Sequence, residues 1–290
     1  MHRLARRGEV MMRLLVQCPD RPGIVSQVAS FFNQRDLNIT DMDQHSSEVE
    51  NGIFFMRLEF QADLGDLETI KTDFEKQVAK DFDMTWRINS SEQKKRMIPL
   101  VSKHEHALME VLWRWSSGSL DVEIPMVISN HIDLKKKVEG FGIPFYHVEV
   151  DKKDKSKAEK EILKLTEGKA DFLVLARYMQ ILSEEFLDNC PVRIINIHHS
   201  FLPAFIGANP YKQAYQKGVK LIGATAHYVT KDLDMGPIIE QDVARVTHRH
   251  SSEDLKEMGK DVEKLAFARA IRYHIEDRII VHGNKTIVFS

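Results

Sequence analysis

"DFLVLARYMQILSEEFLDNCPVRIINIHHS", residues 171–200, holds two apolar runs, "DFLVLA" (171–176) and "VRIINI" (192–197), separated by a stretch of helical length. Continuous apolar runs of strand length, unlike alternating ones, mark strands buried on both faces, as in parallel sheets. The same pattern occurs upstream at "MIPLV" (97–101), "PMVIS" (125–129) and "FYHVEV" (145–150), again with helical patterns between. Residues 97–290 are therefore expected to form an open, Rossmann-like α/β sheet. Further on, Ser251, Ser252 and Asp254 open a helix with capping-box chemistry, which is expected to bury Leu255, Met258, Val262 and Leu265, with Gly259 weakening it slightly. The chain ends in "IIVHGNKTIVF", a hairpin signal around Gly283-Asn284.

The first ninety residues read differently. "MRLLVQC" is a strand, and "DRPGIVSQVASFFNQ" places Val25, Val28, Ala29 and Phe32 at helical spacing. Extended stretches follow around Ile39 and at "GIFFMRLEF". A second helix carries Leu67, Ile70, Phe74 and Val78, and "MTWRI" closes as a strand. The order βαββαβ predicts a ferredoxin-like domain over 13–88. Polar "NSSEQKKR" (89–96) reads as a linker, and basic residues 1–12 as a mobile arm without the apolar core of a signal peptide. The charged run at 151–161 reads as a solvated loop and first helical turn.

With 41 basic and 43 acidic side chains the net charge is −2, so no global field attracts nucleic acid and a ligand needs a local site. Two cysteines, Cys18 and Cys190, make no disulfide framework and fit packed thiols in a reducing cytosol. No window approaches the ~18 apolar residues of a membrane span. A cytoplasmic protein without membrane or nucleic-acid partners is expected.

Chemistry concentrates where the "VRIINI" strand ends. Alternation puts Asn196 and His198 on one face and His199 on the other. They sit at the carboxyl edge, where open α/β sheets bind ligands. An amide N–H beside an imidazole suits negative charge developing on a carbonyl oxygen; taken alone, the pair equally fits a capping Asn and a hydrogen-bonded surface His. Pro203 then ends the segment. No metal site is expected, because adjacent histidines diverge and no Cys, Asp or Glu stands at ligand spacing. Downstream, "GATAHYVTKDLDMGPII" sets His227 on a strand and Asp234 in the turn that follows; its D-x-D-x-G fragment lacks the spacing and closing Glu of a calcium loop.

"NIHHSFLP" and "GATAHYVTKDLDMGPII" resemble the two signature segments of the 10-formyltetrahydrofolate-dependent formyltransferase superfamily, over roughly residues 95–290. The resemblance implies a catalytic set of Asn196, His198 and Asp234. It also implies a folate pocket lined by "VLARYMQILS", giving Met179, Gln180, Ile181 and Leu182, with Val229 on the other wall and His227 near Asp234. "DRPGIV" within the βαββαβ order resembles an ACT regulatory domain. Such a domain implies a homo-oligomer, dimer or tetramer, and a small amino-acid effector near Asp20, Arg21, Pro22, Gly23 and Ile24, where free amides at a helix start suit a carboxylate.

The combination, with "HHSF" and "WRWSSGSL", resembles the formyltetrahydrofolate deformylases. These release formate and tetrahydrofolate by hydrolysis, supplying formate for purine synthesis and balancing one-carbon pools, with folate as substrate and no cofactor or metal. In the mechanism implied, Asn196 and His198 hold the oxyanion, and half-buried Asp234 is expected to be a base poised near neutral pH. One departure bears on the acceptor. Phosphoribosylglycinamide formyltransferases cradle the acceptor's phosphate with a glycine-rich turn after their first strand, whereas here Lys103, His104, Glu105 and His106 stand in its place. Transfer to a phosphorylated amine is the alternative activity. Initiator-tRNA formylation normally needs a further basic β-rich domain, a dehydrogenase would need G-x-G-x-x-G, and a decayed sensor would not be expected to keep all three catalytic types.

Overall fold

The computed structural model describes residues 9–48, 50–151, 153–202 and 210–289. The chain divides into two compact units. One runs to Gln93 and takes in Glu276–His282 and the residues from Ile287; the other is Lys94–Ile275 with Gly283–Thr286.

The first unit follows the expected order: β1 (Glu9–Pro19), α1 (Ile24–Asn33), β2 (Ile39–Ser46), β3 (Ile53–Asp63), α2 (Leu67–Phe74) and β4 (Thr85–Ser90). The sheet order is β2-β3-β1-β4, antiparallel throughout. One face carries Met12, Leu14 and Val16 onto Val28, Phe32 and Phe74 of the helices. Three sequence expectations change here. Residues 9–12 are not arm but strand, with Val10 opposite Ala62 and Met12, fully buried, opposite Phe60; residues 1–8 lie outside the described residues. The stretch 89–96 is not all linker either: Asn89 and Ser90 still belong to β4, and the units divide between Gln93 and Lys94.

The third change concerns the chain's end, of which Glu276–His282 and the residues from Ile287 belong to the first unit. Leu15 and Phe55 point to the sheet's other face and pack with Ile280 and Phe289. The buried Arg57 donates from Nε to the Asp277 carbonyl at 3.1 Å, and Asn89 Nδ2 donates to Asp277 Oδ1 at 2.8 Å. The apolar side chains on that face need cover, and Ile280 of β12 (Ile279–His282), Ile287 of β13 (Lys285–Val288) and Phe289 supply it.

The second unit comprises β5 (Met97–Val101), α3 (His106–Ser116), β6 (Val127–Ser129), α4 (Lys135–Glu139), β7 (Phe145–His147), α5 (Ser156–Thr166), β8 (Phe172–Ala176), α6 (Glu184–Asn189), β9 (Arg193–His198), α7 (Pro210–Lys217), β10 (Leu221–Tyr228), β11 (Ile238–Arg245) and α8 (Ser252–Ile275). The sheet order is β11-β10-β9-β8-β5-β6-β7, parallel from β9 to β7 and antiparallel at β10 and β11. All five residues of both β5 and β8 are buried, as their unbroken apolar runs require. "FYHVEV" departs from that pattern. Its strand stops at His147 and leaves Tyr146 exposed, because β7 pairs only with β6 at the edge of the sheet. In the charged run, Glu159 is buried rather than solvated, accepting from the Ser183 amide at 2.9 Å; Lys152 lies outside the described residues.

Candidate active site

Strands β5, β6 and β7 build the sheet outward in one direction, and β8 and β9 in the other. Such a reversal opens a crevice at the carboxyl ends of the strands. Here the crevice is a cavity of about 740 Å³ within the second unit. Ser102, just past β5, ties down the segment that lines it: its amide donates to the Arg177 carbonyl at 3.3 Å, and its hydroxyl accepts from the Met179 amide at 2.9 Å while donating to Asn130 Oδ1 at 2.7 Å.

β9 and β10 are paired with Asn196 opposite His227 and His198 opposite Thr225. Asn196 Nδ2 lies 3.2 Å from His227 Nε2, and His227 Nδ1 lies 3.0 Å from the Tyr228 carbonyl oxygen. A carbonyl only accepts, so the His227 proton sits on Nδ1 and Nε2 accepts from the Asn196 amide. The second N–H of Asn196 is left for the cavity.

Asp234 sits in the β10–β11 turn at φ 57°, a left-handed conformation that aspartate tolerates better than most side chains. Two residues on, a Cβ on Gly236 would stand 1.8 Å from the Tyr228 carbonyl oxygen, so only glycine lets the turn close against the end of β10. Closure brings Asp234 Oδ2 to 3.3 Å from His198 Nδ1, and Oδ1 to 3.7 Å from His227 Nε2. The hydrogen bond from His198 holds the Asp234 carboxyl well below the usual carboxylate range, and burial does not offset it. The expectation of a carboxyl base poised near neutral pH is thereby corrected: Asp234 is a firmly ionised group. His198 Nε2, by contrast, is buried and has no hydrogen-bond partner among the described residues.

A second correction concerns His199. β9 ends at His198, so strand alternation does not reach the next residue. The two rings lie 5.1 Å apart and line the same cavity. Burial, then the charge of Arg177, pushes the His199 imidazole down to about 4, leaving it neutral at pH 7. The chain beyond it is pinned by buried Thr225, whose hydroxyl donates to the Ser200 carbonyl at 2.9 Å and accepts from the Leu202 amide at 3.0 Å. Pro203 lies outside the described residues.

Met179, Gln180, Ile181, Leu182, Val229 and His227 all line this cavity. Met179 and Ile181 are 53% and 61% exposed, an apolar wall left open among the described residues. Among the described residues no group of three or more His, Cys, Asp or Glu is arranged to hold a metal ion. No helix there is long and apolar enough to cross a membrane.

At the cavity's other end stands a cluster that sequence reasoning misses. Glu263 of α8, only 2% exposed in its side chain, accepts from His106 Nε2 at 2.8 Å and from the Tyr211 hydroxyl at 2.8 Å, with Arg177 Nε 3.5 Å away. Burial opposes its ionisation, but the His106 and Tyr211 hydrogen bonds and the Arg177 charge prevail and keep the carboxyl below its usual range. The available signal is helical: Glu263 falls on the stripe Gly259, Ala266, Phe267 and Ala270, all buried, whereas Leu265, expected inside, is 45% exposed. Gly259 belongs to the same device, since a Cβ there would stand 2.1 Å from the Tyr211 hydroxyl.

In the first unit, Gly23 at φ 98° precedes α1 with no side-chain cap. The Asp20 amide donates to the Gly52 carbonyl at 2.9 Å, and Asp20 accepts from Ser46. Arg21 is turned away, donating to the Asp81 carbonyl with its guanidinium over the Phe82 ring.

Comparison with known proteins agrees in both units. The family described as ACT domain matches residues 12–75, and that described as Formyl transferase matches 95–271. A formyltetrahydrofolate deformylase of Bacillus subtilis is 51% identical over 96% of this chain and 93% of its own. The crystal structure of a formyltetrahydrofolate deformylase from Pseudomonas syringae superposes with a TM-score of 0.92, at 50% identity over 97% of this chain and 94% of that one. A glycinamide ribonucleotide transformylase from Symbiobacterium toebii matches 68% of this chain and 95% of its own, with a TM-score of 0.64 and 28% identity. With its ACT-type first unit, its formyl-transferase second unit and half-identical relatives over nearly its whole length, the chain belongs to the formyltetrahydrofolate deformylase family.

Proposed function

We propose that this protein hydrolyses 10-formyltetrahydrofolate to formate and tetrahydrofolate, breaking the amide-type bond between N10 and the formyl carbon. The observation that carries the chemistry is the His198–Asp234 pair: an ionised carboxylate 3.3 Å from Nδ1 and a buried Nε2 with no partner among the described residues, in the cavity that Asn196 also lines. A carboxylate at Nδ1 favours the tautomer with its proton there, so Nε2 carries a lone pair. In this reading Nε2 takes a proton from water as the water oxygen bonds to the formyl carbon. The carbonyl oxygen becomes an oxyanion that accepts from Asn196 Nδ2. The imidazolium, balanced by Asp234, then returns the proton to N10 as the C–N bond breaks. His198 thus serves as base and acid in turn, and Asp234 orients and balances it.

The apolar wall of Met179, Ile181, Leu182 and Val229 suits the flat pteridine of the folate. The reaction calls for no resident cofactor or metal, and the reading places the protein in the cytoplasm as a one-carbon enzyme. The likeness to a transformylase keeps transfer to a phosphorylated amine as the second reading. The ACT-type unit is assigned a small amino-acid effector near Asp20–Ile24 and a part in homo-oligomer assembly.

The test is to supply 10-formyltetrahydrofolate alone and follow formate and tetrahydrofolate, with and without a chelator. Equimolar release in both conditions is expected. Turnover that waits for an added amine would identify a transferase instead.

A further inference from the structure

Asp234 and His227 owe their places to the backbone of Tyr228, the last residue of β10. The Tyr228 amide donates to the Pro237 carbonyl at 2.9 Å, which closes the turn carrying Asp234. Its carbonyl oxygen stands 3.0 Å from His227 Nδ1, and Gly236 is pressed against that same oxygen. The ladder to β9 runs regularly through to Tyr228, opposite Ile195, whereas the register with β11 shifts between Ala226 and His227. An irregularity of this kind disrupts the ladder locally and re-aims side chains, so the strand end depends on what its side chains hold.

Alternation turns the Tyr228 side chain to the face of β10 opposite His227. Tyr228 is only 5% exposed, and a buried phenol needs a hydrogen-bond partner. His274, in the last turn of α8, supplies one: the Tyr228 hydroxyl and His274 Nδ1 are 2.9 Å apart. The Arg193 guanidinium of β9 also covers the Tyr228 ring, 4.9 Å from its centroid. His274 is itself fixed. Its ring packs on Phe172 of β8 with centroids 4.4 Å apart, and its carbonyl accepts from Lys95 Nζ at 2.8 Å. All of these residues belong to the second unit. Phenylalanine at 228 would fill the same space, so what the hydroxyl and the imidazole add is a fixed distance between the end of β10 and α8.

We propose that Tyr228 and His274 are positioning residues for the reaction: their hydrogen bond fixes the end of β10 from the face opposite His227 and so holds the Asp234 carboxylate in reach of His198. This rests on the part given above to the His198–Asp234 pair and names the device that sets its 3.3 Å separation. Neither residue touches the reacting atoms. A small backbone shift at Tyr228 passes directly to the Asp234 turn, and reacting groups tolerate little misplacement. The folate wall comes mainly from residues 179–182, beyond β8, so the loss should fall on kcat and spare KM.

The test is steady-state formate release from 10-formyltetrahydrofolate by the wild type, Tyr228→Phe, His274→Phe and His274→Asn, each as the full chain. Tyr228→Phe removes only the hydroxyl. His274→Phe keeps a ring against Phe172 but no Nδ1, and asparagine places a hydrogen-bonding group where Nδ1 stood. Each phenylalanine variant should lose about tenfold in kcat with KM unchanged. The double variant should lose no more than either, and His274→Asn should keep most of the wild-type rate. In an Asp234→Asn background, where the turn has no carboxylate to position, Tyr228→Phe should have almost no further effect. A merely structural role would cut the rate there by the same factor. Wild-type kcat in Tyr228→Phe overturns the proposal, as does a His274→Asn variant no better than His274→Phe. So do losses that multiply undiminished with that of Asp234→Asn. If Tyr228→Phe does not fold, the two His274 variants decide alone in both backgrounds. A wild type that releases formate only with an added amine sinks the hydrolytic reading instead; the same variants compared in formyl transfer then decide the positioning role.

Discussion

Asp234 Oδ2 lies 3.3 Å from His198 Nδ1, while the ring's other nitrogen is buried with no partner among the described residues. This one-sided engagement sets the tautomer, and with it the direction in which His198 can move a proton. Asparagine at 234 keeps the shape and tolerates the left-handed backbone at φ 57°, but its amide can present an N–H to Nδ1 and favour the opposite tautomer. Asp234→Asn should therefore fold normally, bind folate nearly as tightly and lose at least ~10²-fold in turnover. Steady-state kinetics with a folate-binding titration check this. Near wild-type turnover would remove Asp234 from the mechanism.

His199 carries a pH dependence of stability rather than of rate. Its imidazole is pushed down to about 4 by burial, whereas in the unfolded chain it titrates near ~6.5. Between these values the unfolded state binds the extra proton, so stability rises with pH across that window and falls on acidification from about 6.5 towards 4. His199→Gln abolishes the titration. Unfolding temperatures measured from pH 7.5 to 4.5 should fall more steeply for the wild type than for this variant, by at most about 3 kcal/mol at the acid end. Parallel curves would show that the His199 ring is solvated in solution.

Gly259→Ala would ordinarily stabilise a helix interior by about 1 kcal/mol. Here the new methyl would stand 2.1 Å from the Tyr211 hydroxyl, which donates to Glu263 at 2.8 Å. The ring must swing out and leave a buried carboxylate one donor short, so a net loss of about 1–3 kcal/mol is expected. A double-mutant cycle with Tyr211→Ala distinguishes the cause. The loss should largely vanish in the Tyr211→Ala background, where the helix preference for alanine returns.

Both units are legible in sequence because apolar periodicity reports burial directly. Met97–Val101 and Phe172–Ala176 are unbroken apolar runs and prove fully buried. Asn196 and His198 are legible for a related reason, as polar groups ending such a run at the edge where crevices open. Two kinds of residue escape this reading. His199 sits one position past the strand, where alternation no longer governs direction. Glu263 is a charge on a helix, read by default as facing solvent; its burial depends on His106, Tyr211 and Arg177, which come from distant parts of the chain. Similarly, Ile280 and Phe289 read as an ordinary hairpin, since nothing local says that Leu15 and Phe55 need cover. The Asp234 carboxyl misleads for the same reason: half-burial alone raises a carboxyl, and only the His198 imidazole, brought in from another strand, reverses the sign.

The role of His198 can be separated from mere donation of a hydrogen bond. Alanine removes both the donor and the base; glutamine keeps an N–H donor of similar reach but offers no basic nitrogen. If His198 only held the oxyanion, His198→Gln would retain much of the activity lost in His198→Ala. With Nε2 as the proton carrier, both variants should fall by a similar ~10²–10³-fold. The lost base can also be supplied from outside, because the cavity of about 740 Å³ has room for a small amine where the ring stood. Added imidazole should then raise formate release by His198→Ala in a saturable way, with a pH profile that follows the free imidazole. Asp234 gains nothing from that rescue, so Asp234→Asn should not respond. A glutamine variant close to wild type, together with no response to imidazole, would leave His198 as an oxyanion donor only and pass the proton transfer to another group.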